Sequence, residues 1–127
     1  MSTTLGATVD RYFDALNREA WEDLNDIFHP DAIVSAVGSR PRTGIAEIDA
    51  FFRRMFQPWT IHQDTPGRSF VGGDGMAIEV HFSGQTPDER SVEFDAIDVI
   101  DLRGDRIERV QIWYDLGLVQ RLLTAND

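Results

Sequence analysis

The stretch from Ser91 to Asp115, SVEFDAIDVIDLRGDRIERVQIWYD, constrains the fold more than any other part of the chain. Hydrophobic and polar residues alternate on both sides of the sequence RGDR, which is the pattern of two antiparallel strands joined by a tight turn. Gly104 within that turn can adopt the positive φ angle that such turns often require. The stretch therefore predicts a long β-hairpin with one face against a hydrophobic core.

Asp98 falls on the apolar face of the first predicted strand. Phe94, Ala96 and Ile100 share this face, because alternate side chains of a strand point to the same side. A buried carboxyl group loses the water that stabilises its charged form, so its pKa rises unless a cation compensates. We therefore expect Asp98 to hold its proton to a higher pH than an exposed aspartic acid.

The composition excludes several classes of function. The chain has 127 residues, 42% of them hydrophobic, which suits a single domain over residues 1–127 with one core. A net charge of -10 at pH 7 disfavours nucleic acid and anionic membranes as partners. The sequence contains neither cysteine nor lysine, so disulfides, thiolate nucleophiles and lysine Schiff bases are excluded.

No motif in the sequence indicates a metal or a cofactor. The patterns GxSxG, GxGxxG and HExxH are absent, and the histidines lack the spacing of metal ligands. No apolar run approaches the roughly 20 residues of a membrane-spanning helix. The N-terminal sequence MSTTLGATVD does not have the features of a signal peptide. We expect a cytoplasmic protein that needs neither metal nor cofactor.

The hydrophobic periodicity predicts helices first and strands afterwards. The predicted elements, in chain order, are helices over about 5–17 and 20–28, a strand over 32–37, a helix over 45–56, strands within 59–70 and over 76–83, the hairpin, and a closing helix after residue 115. This order indicates an α+β fold in which three N-terminal helices pack on the concave face of a curved antiparallel sheet. The apolar and aromatic residues exceed what flat packing needs, so we expect a cone-shaped cavity.

Four segments of the chain resemble the ketosteroid isomerase-like and polyketide cyclase-like (SnoaL-like) branch of the nuclear transport factor 2 (NTF2) superfamily. They are VDRYFDALN, DLNDIFHPDAIV, VGSRPRTGIAEIDAFF and IDVIDLRGDRIERVQIWYD. Together they cover nearly the whole chain, and their order and spacing are more specific for the fold than for an activity. The resemblance implies the cone-shaped NTF2-like fold.

The resemblance also implies roles for two residues. In ketosteroid isomerases, a tyrosine of the first helix and a protonated aspartic acid of a late strand donate hydrogen bonds to an enolate oxygen. The matching residues are Tyr12 and Asp98, and the apolar neighbours of Asp98 agree with this match. The resemblance therefore predicts Tyr12 and Asp98 as the catalytic residues of an oxyanion hole.

The proton-abstracting base of that family does not carry over. Its members have an acid just after the first strand, where this chain has Ser35 and Ala36. Neither residue can take a proton from carbon at neutral pH without help. Standard ketosteroid isomerase activity is therefore expected to be weak or absent. His62 and Asp64 are alternative bases between which the sequence does not decide.

Three functions are compatible with these features. The first is a cofactor-independent enzyme that isomerises, cyclises or dehydrates a hydrophobic carbonyl compound of steroid, polyketide or terpenoid type. The second is a non-catalytic binder of such a compound, and the third is a protein-interaction module. For the first two, the predicted substrate-binding residues are Phe28, Phe52, Met55, Trp59, Phe82, Phe94, Val110, Ile112 and Tyr114.

The outer face of the predicted sheet carries a tryptophan among polar residues. Trp113 alternates with the inward-facing residues of its strand, and so lies beside Arg109 and Gln111, with Glu79 and His81 on another strand. A large apolar side chain on such a face often marks a contact surface. We therefore expect a homodimer that forms through the convex face of the sheet.

Overall fold

The computed structural model of the protein describes residues 3–124, with side chains from residue 5 onward. In this described part of the chain, four α-helices, a short 3-10 helix and six strands follow one another. They are α1 (Thr3–Arg18), the 3-10 helix (Trp21–Asp23), α2 (Leu24–Ile27), β1 (Phe28–Ala36), β2 (Arg42–Thr43), α3 (Ile45–Phe56), β3 (Ile61–Gly72), β4 (Gly75–Gln85), β5 (Ser91–Arg103), β6 (Arg106–Tyr114) and α4 (Leu116–Thr124). The predicted α+β class is confirmed.

The two long N-terminal helices form because each has one continuous apolar face. In α1 this face includes Val9, Tyr12 and Leu16, whose spacing brings them to the same side of the helix and into the core. In α3 the buried residues Phe52 and Phe56 are spaced in the same way. The predicted bounds of the third helix, 45–56, agree with the structure.

The second helix is much shorter than predicted. The segment expected to be helical over 20–28 forms a 3-10 helix and a single turn of α-helix, and Phe28 already has the extended φ and ψ of a strand, -104° and 148°. Pro30 disfavours helical geometry at the preceding residue. Pairing of Phe28 with Ile107 of β6 adds a strand contact that a helix would lose. Strand β1 therefore begins four residues earlier than predicted, at 28 rather than 32.

The six strands form one sheet in the order β2-β1-β6-β5-β4-β3. All neighbouring pairs are antiparallel except β1 and β6, which run parallel. The parallel pair was not anticipated, because it joins strands that are far apart in the sequence and need no hairpin. Most of the segment 59–70, in which the sequence predicted one or more strands, belongs to the continuous edge strand β3, and its pairing with β4 shifts register after Pro66. An edge strand tolerates proline, since one side of its backbone needs no ladder partner.

The predicted hairpin is formed by β5 and β6. Gly104 lies in its turn with a φ of 68°, in the left-handed region that favours glycine. Asp98 of β5 pairs with Ile112 of β6, which pairs in turn with Ala36 of β1. This row of residues crosses the middle of the sheet beneath the helices. The closing helix predicted after residue 115 is α4, which packs against β5, buries Val119 and adds to the helical cover of the sheet.

Candidate active site

A cavity of about 380 Å³ lies between the helices and the sheet. Its volume falls within the range of small-molecule binding pockets, roughly 300 to 1,000 Å³. Most of the predicted substrate-binding residues line it, namely Phe52, Met55, Trp59, Phe82, Phe94, Ile112 and Tyr114. The aromatic rings contact one another: Trp59 lies 4.9 Å from Phe82, and Phe82 lies 4.8 Å from Phe94, between ring centroids. Aromatic rings in mutual contact therefore form this part of the cavity wall.

Two predicted wall residues, Phe28 and Val110, do not line the cavity. Both are fully buried and belong to the hydrophobic core. Phe28 packs edge-on against Tyr12 at 6.0 Å between ring centroids and so supports the wall from behind. Periodicity indicates which face of a helix or strand a residue occupies, but not where along that face the cavity ends.

Tyr12 and Asp98 meet at the buried part of the cavity. Helix α1 supplies Tyr12 and strand β5 supplies Asp98, and their side chains line the cavity together. The Tyr12 hydroxyl donates a hydrogen bond to Asp98 Oδ2 at 3.4 Å, a long and therefore weak bond. Tyr12 is 0% exposed and Asp98 is 5% exposed. The structure thus brings together the two residues that the sequence predicted as a pair.

The surroundings of this pair keep both groups neutral at pH 7. Burial, and after it the negative charge of Asp64, raises the pKa of Asp98 to about 8, although the hydrogen bond from Tyr12 opposes the shift. Burial, and after it the negative charges of Asp98 and Asp64, raises the pKa of Tyr12 well above its ordinary value. Both side chains therefore carry protons that they can donate in hydrogen bonds.

Asp64 places a second carboxyl group in the same cavity. It lies on the edge strand β3, and burial raises its pKa to about 6 in spite of the opposing charge of His62. Asp64 is therefore mostly ionised at pH 7, whereas Asp98 is mostly protonated. Two carboxyl groups whose environments separate their pKa values are suited to opposite roles, one as a base and one as a hydrogen-bond donor.

The backbone of Asp64 is held by the side chain of Asn17. Asn17 Nδ2 donates to the carbonyl oxygen of Asp64 at 2.9 Å, and the amide of Asp64 donates to Asn17 Oδ1 at 2.8 Å. These two bonds take the place of a neighbouring strand, because β3 is the last strand of the sheet. Asn17 thereby ties the end of α1 to the strand that carries Asp64. No pattern in the sequence pointed to this contact.

His62, the other alternative base, is directed elsewhere. Its Nε2 lies 2.6 Å from Glu19 Oε2, and its ring stacks on Phe56 at 4.3 Å between centroids. The residue does not line the cavity. Ala36, at the position where the resemblance expects the family's base, does line it but has no ionisable group. Asp64 is therefore the better placed of the two candidate bases.

The sequence did not identify the residues that form the rest of the cavity wall. They are Leu16, Val37, Gly38, Ser39, Arg42, Phe51, Arg54, Phe56, Pro58, Val80, Ala96, Leu116, Val119, Gln120 and Leu123. Val80 and Ala96 share strand faces with Phe82 and Phe94, so period-two spacing could have revealed them. The contribution of α4 had no such signal, because it depends on where the chain folds back after β6.

The part of the chain that the structure describes, residues 3–124, contains no group of three or more histidine, aspartate or glutamate side chains that could hold a metal ion. None of its helices combines the length and the apolar composition that crossing a membrane requires.

Comparison with solved structures supports the fold. A proposed SnoaL-like polyketide cyclase from Jannaschia sp. CCS1 superposes with a TM-score of 0.89 at 17% identity, over 98% of this chain and 94% of that chain. An LEH-like epoxide hydrolase from M. tuberculosis gives 0.80 at 18% identity, over 96% and 90% of the two chains. A protein with a ketosteroid isomerase-like fold from Catenulispora acidiphila DSM 44928 gives 0.78 at 19% identity, over 86% and 85%.

Comparison of sequences gives the family. No curated protein is significantly similar to the chain in sequence. The family model of the SnoaL-like domain, however, matches residues 9–110, which is most of the chain. The match includes Tyr12, Asp64 and Asp98, and it agrees with the resemblance found in the sequence segments. The chain therefore belongs to the SnoaL-like domain family.

Proposed function

We propose that this protein is an enzyme that abstracts a proton next to the carbonyl group of a hydrophobic compound. One observation carries the proposal: a single apolar cavity holds an ionised carboxylate, Asp64, together with two neutral donors, Tyr12 and Asp98. The reaction needs a base for the carbon-bound proton and donors for the oxygen that becomes negative. The three side chains supply both requirements.

The mechanism follows from the charges of these groups. Tyr12 and Asp98 donate hydrogen bonds to the carbonyl oxygen of the substrate, and the Asp64 carboxylate takes a proton from the adjacent carbon. The electrons of the broken C–H bond move to the oxygen and form an enolate. Each donor is expected to stabilise that oxygen by roughly 3 to 4 kcal/mol in a site closed to water.

The fate of the enolate distinguishes the reactions that remain possible. Return of the proton from Asp64 to a different carbon is an isomerisation. Attack of the enolate carbon on a second carbonyl group of the same molecule is a cyclisation, and loss of a β-hydroxyl group is a dehydration. All three begin with the same proton abstraction, so a test of that step does not require the natural substrate.

A non-catalytic ligand carrier of the same fold is the second candidate. It is favoured by Ala36, which leaves the position of the family's usual base without a carboxyl group. A carrier has no need of an ionised carboxylate in an apolar wall, where burial of charge is unfavourable. Substitution of Asp64 therefore separates the two candidates.

The test uses 2-tetralone, a bicyclic ketone, and 2-naphthol, which resembles its enol. NMR in deuterated buffer should show the wild type exchanging the α-protons of 2-tetralone faster than buffer alone. Asp64→Asn should lower that rate by about 100-fold or more, since it removes the base, while it leaves binding of 2-naphthol in place. Asp98→Ala should weaken 2-naphthol binding by about tenfold or more, since it removes a donor.

Asp95→Asn serves as the matched control. Asp95 is an exposed residue of the same strand as Asp98, and its carboxylate pairs with His81. Its substitution should change neither exchange nor binding. Binding of 2-naphthol without any enhanced exchange would favour the carrier, and failure of the wild type to bind either compound would reject both candidates.

A further inference from the structure

A guanidinium group forms part of the cavity wall on the side away from the carboxyl groups. Arg42 of β2 lines the cavity and is half-buried. Its Nη1 donates to Ser39 Oγ at 3.0 Å and to the carbonyl oxygen of Arg40, and its Cζ lies 5.1 Å from the centre of the Phe51 ring. Ser39 and Phe51 line the cavity too. The charged group is thus held in position beside the cavity.

The reacting end of the cavity is the end where Asp98 and Asp64 lie, and most of the width of the sheet separates Arg42 from it. Arg42 lies on one edge strand, whereas Asp98 lies three strands away on β5 and Asp64 lies on the opposite edge strand. Strands are about 4.8 Å apart, so three spacings amount to roughly 14 Å along the sheet. Ser39 is exposed, whereas Asp98 and Tyr12 are buried, which places Arg42 near the mouth.

The charges of the cavity wall define where an anionic group can lie. Asp64 and Asp98 are the acidic residues that line the cavity, and both belong to the reacting end. A negative group there would be repelled by the Asp64 carboxylate. At the other end, Arg42 makes no ion pair with a carboxylate of residues 5–124, although many arginines of this acidic chain do. The other guanidinium of the wall, that of Arg54, is exposed and also lines a surface groove with Glu19.

We propose that Arg42 binds an anionic group of the substrate, which is then a hydrophobic carbonyl compound bearing a carboxylate or an ionised phenol at its far end. The proposal rests on the proposed function, because the donors Tyr12 and Asp98 determine which end of the substrate lies deepest. Guanidinium groups form strong, charge-assisted hydrogen bonds with such anions. The electrostatic pattern therefore selects both the class of substrate and its orientation.

The test compares two molecules that differ only in charge, 6-hydroxy-2-naphthoate and 6-hydroxy-2-naphthamide. Each carries a phenol for Tyr12 and Asp98 at one end, and a carboxylate or a neutral amide at the other. Calorimetry should show the wild type binding the carboxylate roughly tenfold or more tightly than the amide. Arg42→Gln should abolish this preference while it leaves the affinity for the amide nearly unchanged.

Arg40→Gln is the matched control, because it removes the same charge two residues away. Arg40 is 69% exposed, lies 3.7 Å from Glu47 and does not line the cavity. It should keep the full preference for the carboxylate. In the wild type, added salt should reduce the preference as it screens the charge on Arg42, a measurement that does not depend on any variant folding.

Several results would overturn the proposal. The wild type could bind both probes equally tightly, or its preference for the carboxylate could be insensitive to salt. The preference could also persist in Arg42→Gln. An equal loss of affinity for both probes in that variant would mean that Arg42 only supports the loop of Ser39 and Arg40. Binding of the amide without a preference rejects the anion site alone. Failure of the wild type to bind either probe rejects the proposed function as well.

Discussion

Asp64 and Asp98 show how the same side chain acquires two chemical characters in one cavity. Both pKa values are raised by burial, but that of Asp98 reaches about 8 and that of Asp64 about 6. The difference arises because Asp98 is the more deeply buried and also experiences the charge of Asp64, whereas the charge of His62 lowers the pKa of Asp64. Their ionisations are therefore coupled, and the pair titrates as a unit.

The raised pKa of Asp98 predicts a particular dependence of stability on pH. An aspartic acid has a pKa of about 3.9 in an unfolded chain, so between that pH and about 8 the folded protein holds a proton that the unfolded chain has lost. Stability should therefore fall as the pH rises through this window. In Asp98→Asn the side chain at position 98 has no ionisable group. The free energy of unfolding of this variant, relative to that of the wild type, should therefore increase by up to about 5 kcal/mol from pH 4 to pH 8.

Urea unfolding across that pH range measures this prediction. Asp95→Asn removes an exposed carboxyl group from the same strand, and with it the partner that raises the pKa of His81. Its curve should therefore run parallel to that of the wild type from pH 4 to about 6, where His81 is protonated in both the folded and the unfolded chain. Parallel curves for the wild type and Asp98→Asn would show that Asp98 ionises normally, and the assignment of Asp98 as a donor would then be wrong. Asp64 contributes a slope of the same sign in both proteins, so the difference between the two curves reports the ionisation of Asp98 together with its coupling to Asp64.

At the scale of elements, the position of Asp64, the proposed base, depends on the contact between α1 and β3. The edge strand lacks a neighbour on its outer side, and the side chain of Asn17 supplies the two hydrogen bonds that a neighbour would make at Asp64. Tyr12 lies on the same helix as Asn17. Helix α1 therefore sets the positions of the proposed oxyanion donor Tyr12 and of the proposed base Asp64 at the same time.

Asn17→Ala should impair catalysis through the position of Asp64. Loss of the two bonds is expected to destabilise the fold by roughly 1 to 3 kcal/mol. It should also lower kcat for proton exchange by about tenfold or more with little change in KM, because the apolar wall that binds the ketone is intact. Asn25→Ala is the control, since the exposed Asn25 side chain bonds only to the carbonyl oxygen of Glu22. An unchanged kcat in Asn17→Ala would show that this tether does not position the base.

The secondary-structure elements themselves were predictable where their pattern is local. The third helix and the β5–β6 hairpin match the sequence prediction, because periodicities of 3.6 and 2 residues follow from backbone geometry alone. The second helix was overestimated, because Phe28 exchanges helical hydrogen bonds for pairing with Ile107, a residue far along the chain. Tertiary pairing overrides helix propensity in such short segments.

At the scale of the whole molecule, the outer face of the sheet exposes apolar side chains. Trp113 is 50% exposed and Ile97 is 45% exposed, and the two are directly opposite each other on β6 and β5. A cleft beside them is lined by Pro66 and Gly67 at the register shift of β3. These features support the proposal that the protein forms a homodimer through this face.

Trp113→Glu tests the homodimer. A charge in the centre of an apolar contact is strongly unfavourable, so light scattering should report a dimer for the wild type and a monomer for the variant. Asn25→Glu adds the same charge at an exposed position of α2 and should remain dimeric. A dimer that survives Trp113→Glu would place the contact elsewhere, and a monomeric wild type would reject the homodimer.

The sequence by itself determined the features that depend on local pattern. Alternation along β5 placed Asp98 on the apolar face, and the residues around Tyr12 and Asp98 carried the resemblance to the SnoaL-like branch. The lack of an acid at Ser35 and Ala36, where the resemblance expects the family's base, was likewise readable from the sequence. These features need no knowledge of distant contacts, because the direction of a side chain follows from the backbone of its own strand or helix.

Only the tertiary structure decided which polar groups share the cavity. Asp64 became the better placed base because a bond from Asn17, 47 residues earlier, holds β3 against α1. Arg42 reached the cavity wall because β2 pairs with β1 at the far edge of the sheet. Burial and pKa depend on the sum of all neighbours, and those neighbours come from segments that are distant in the sequence.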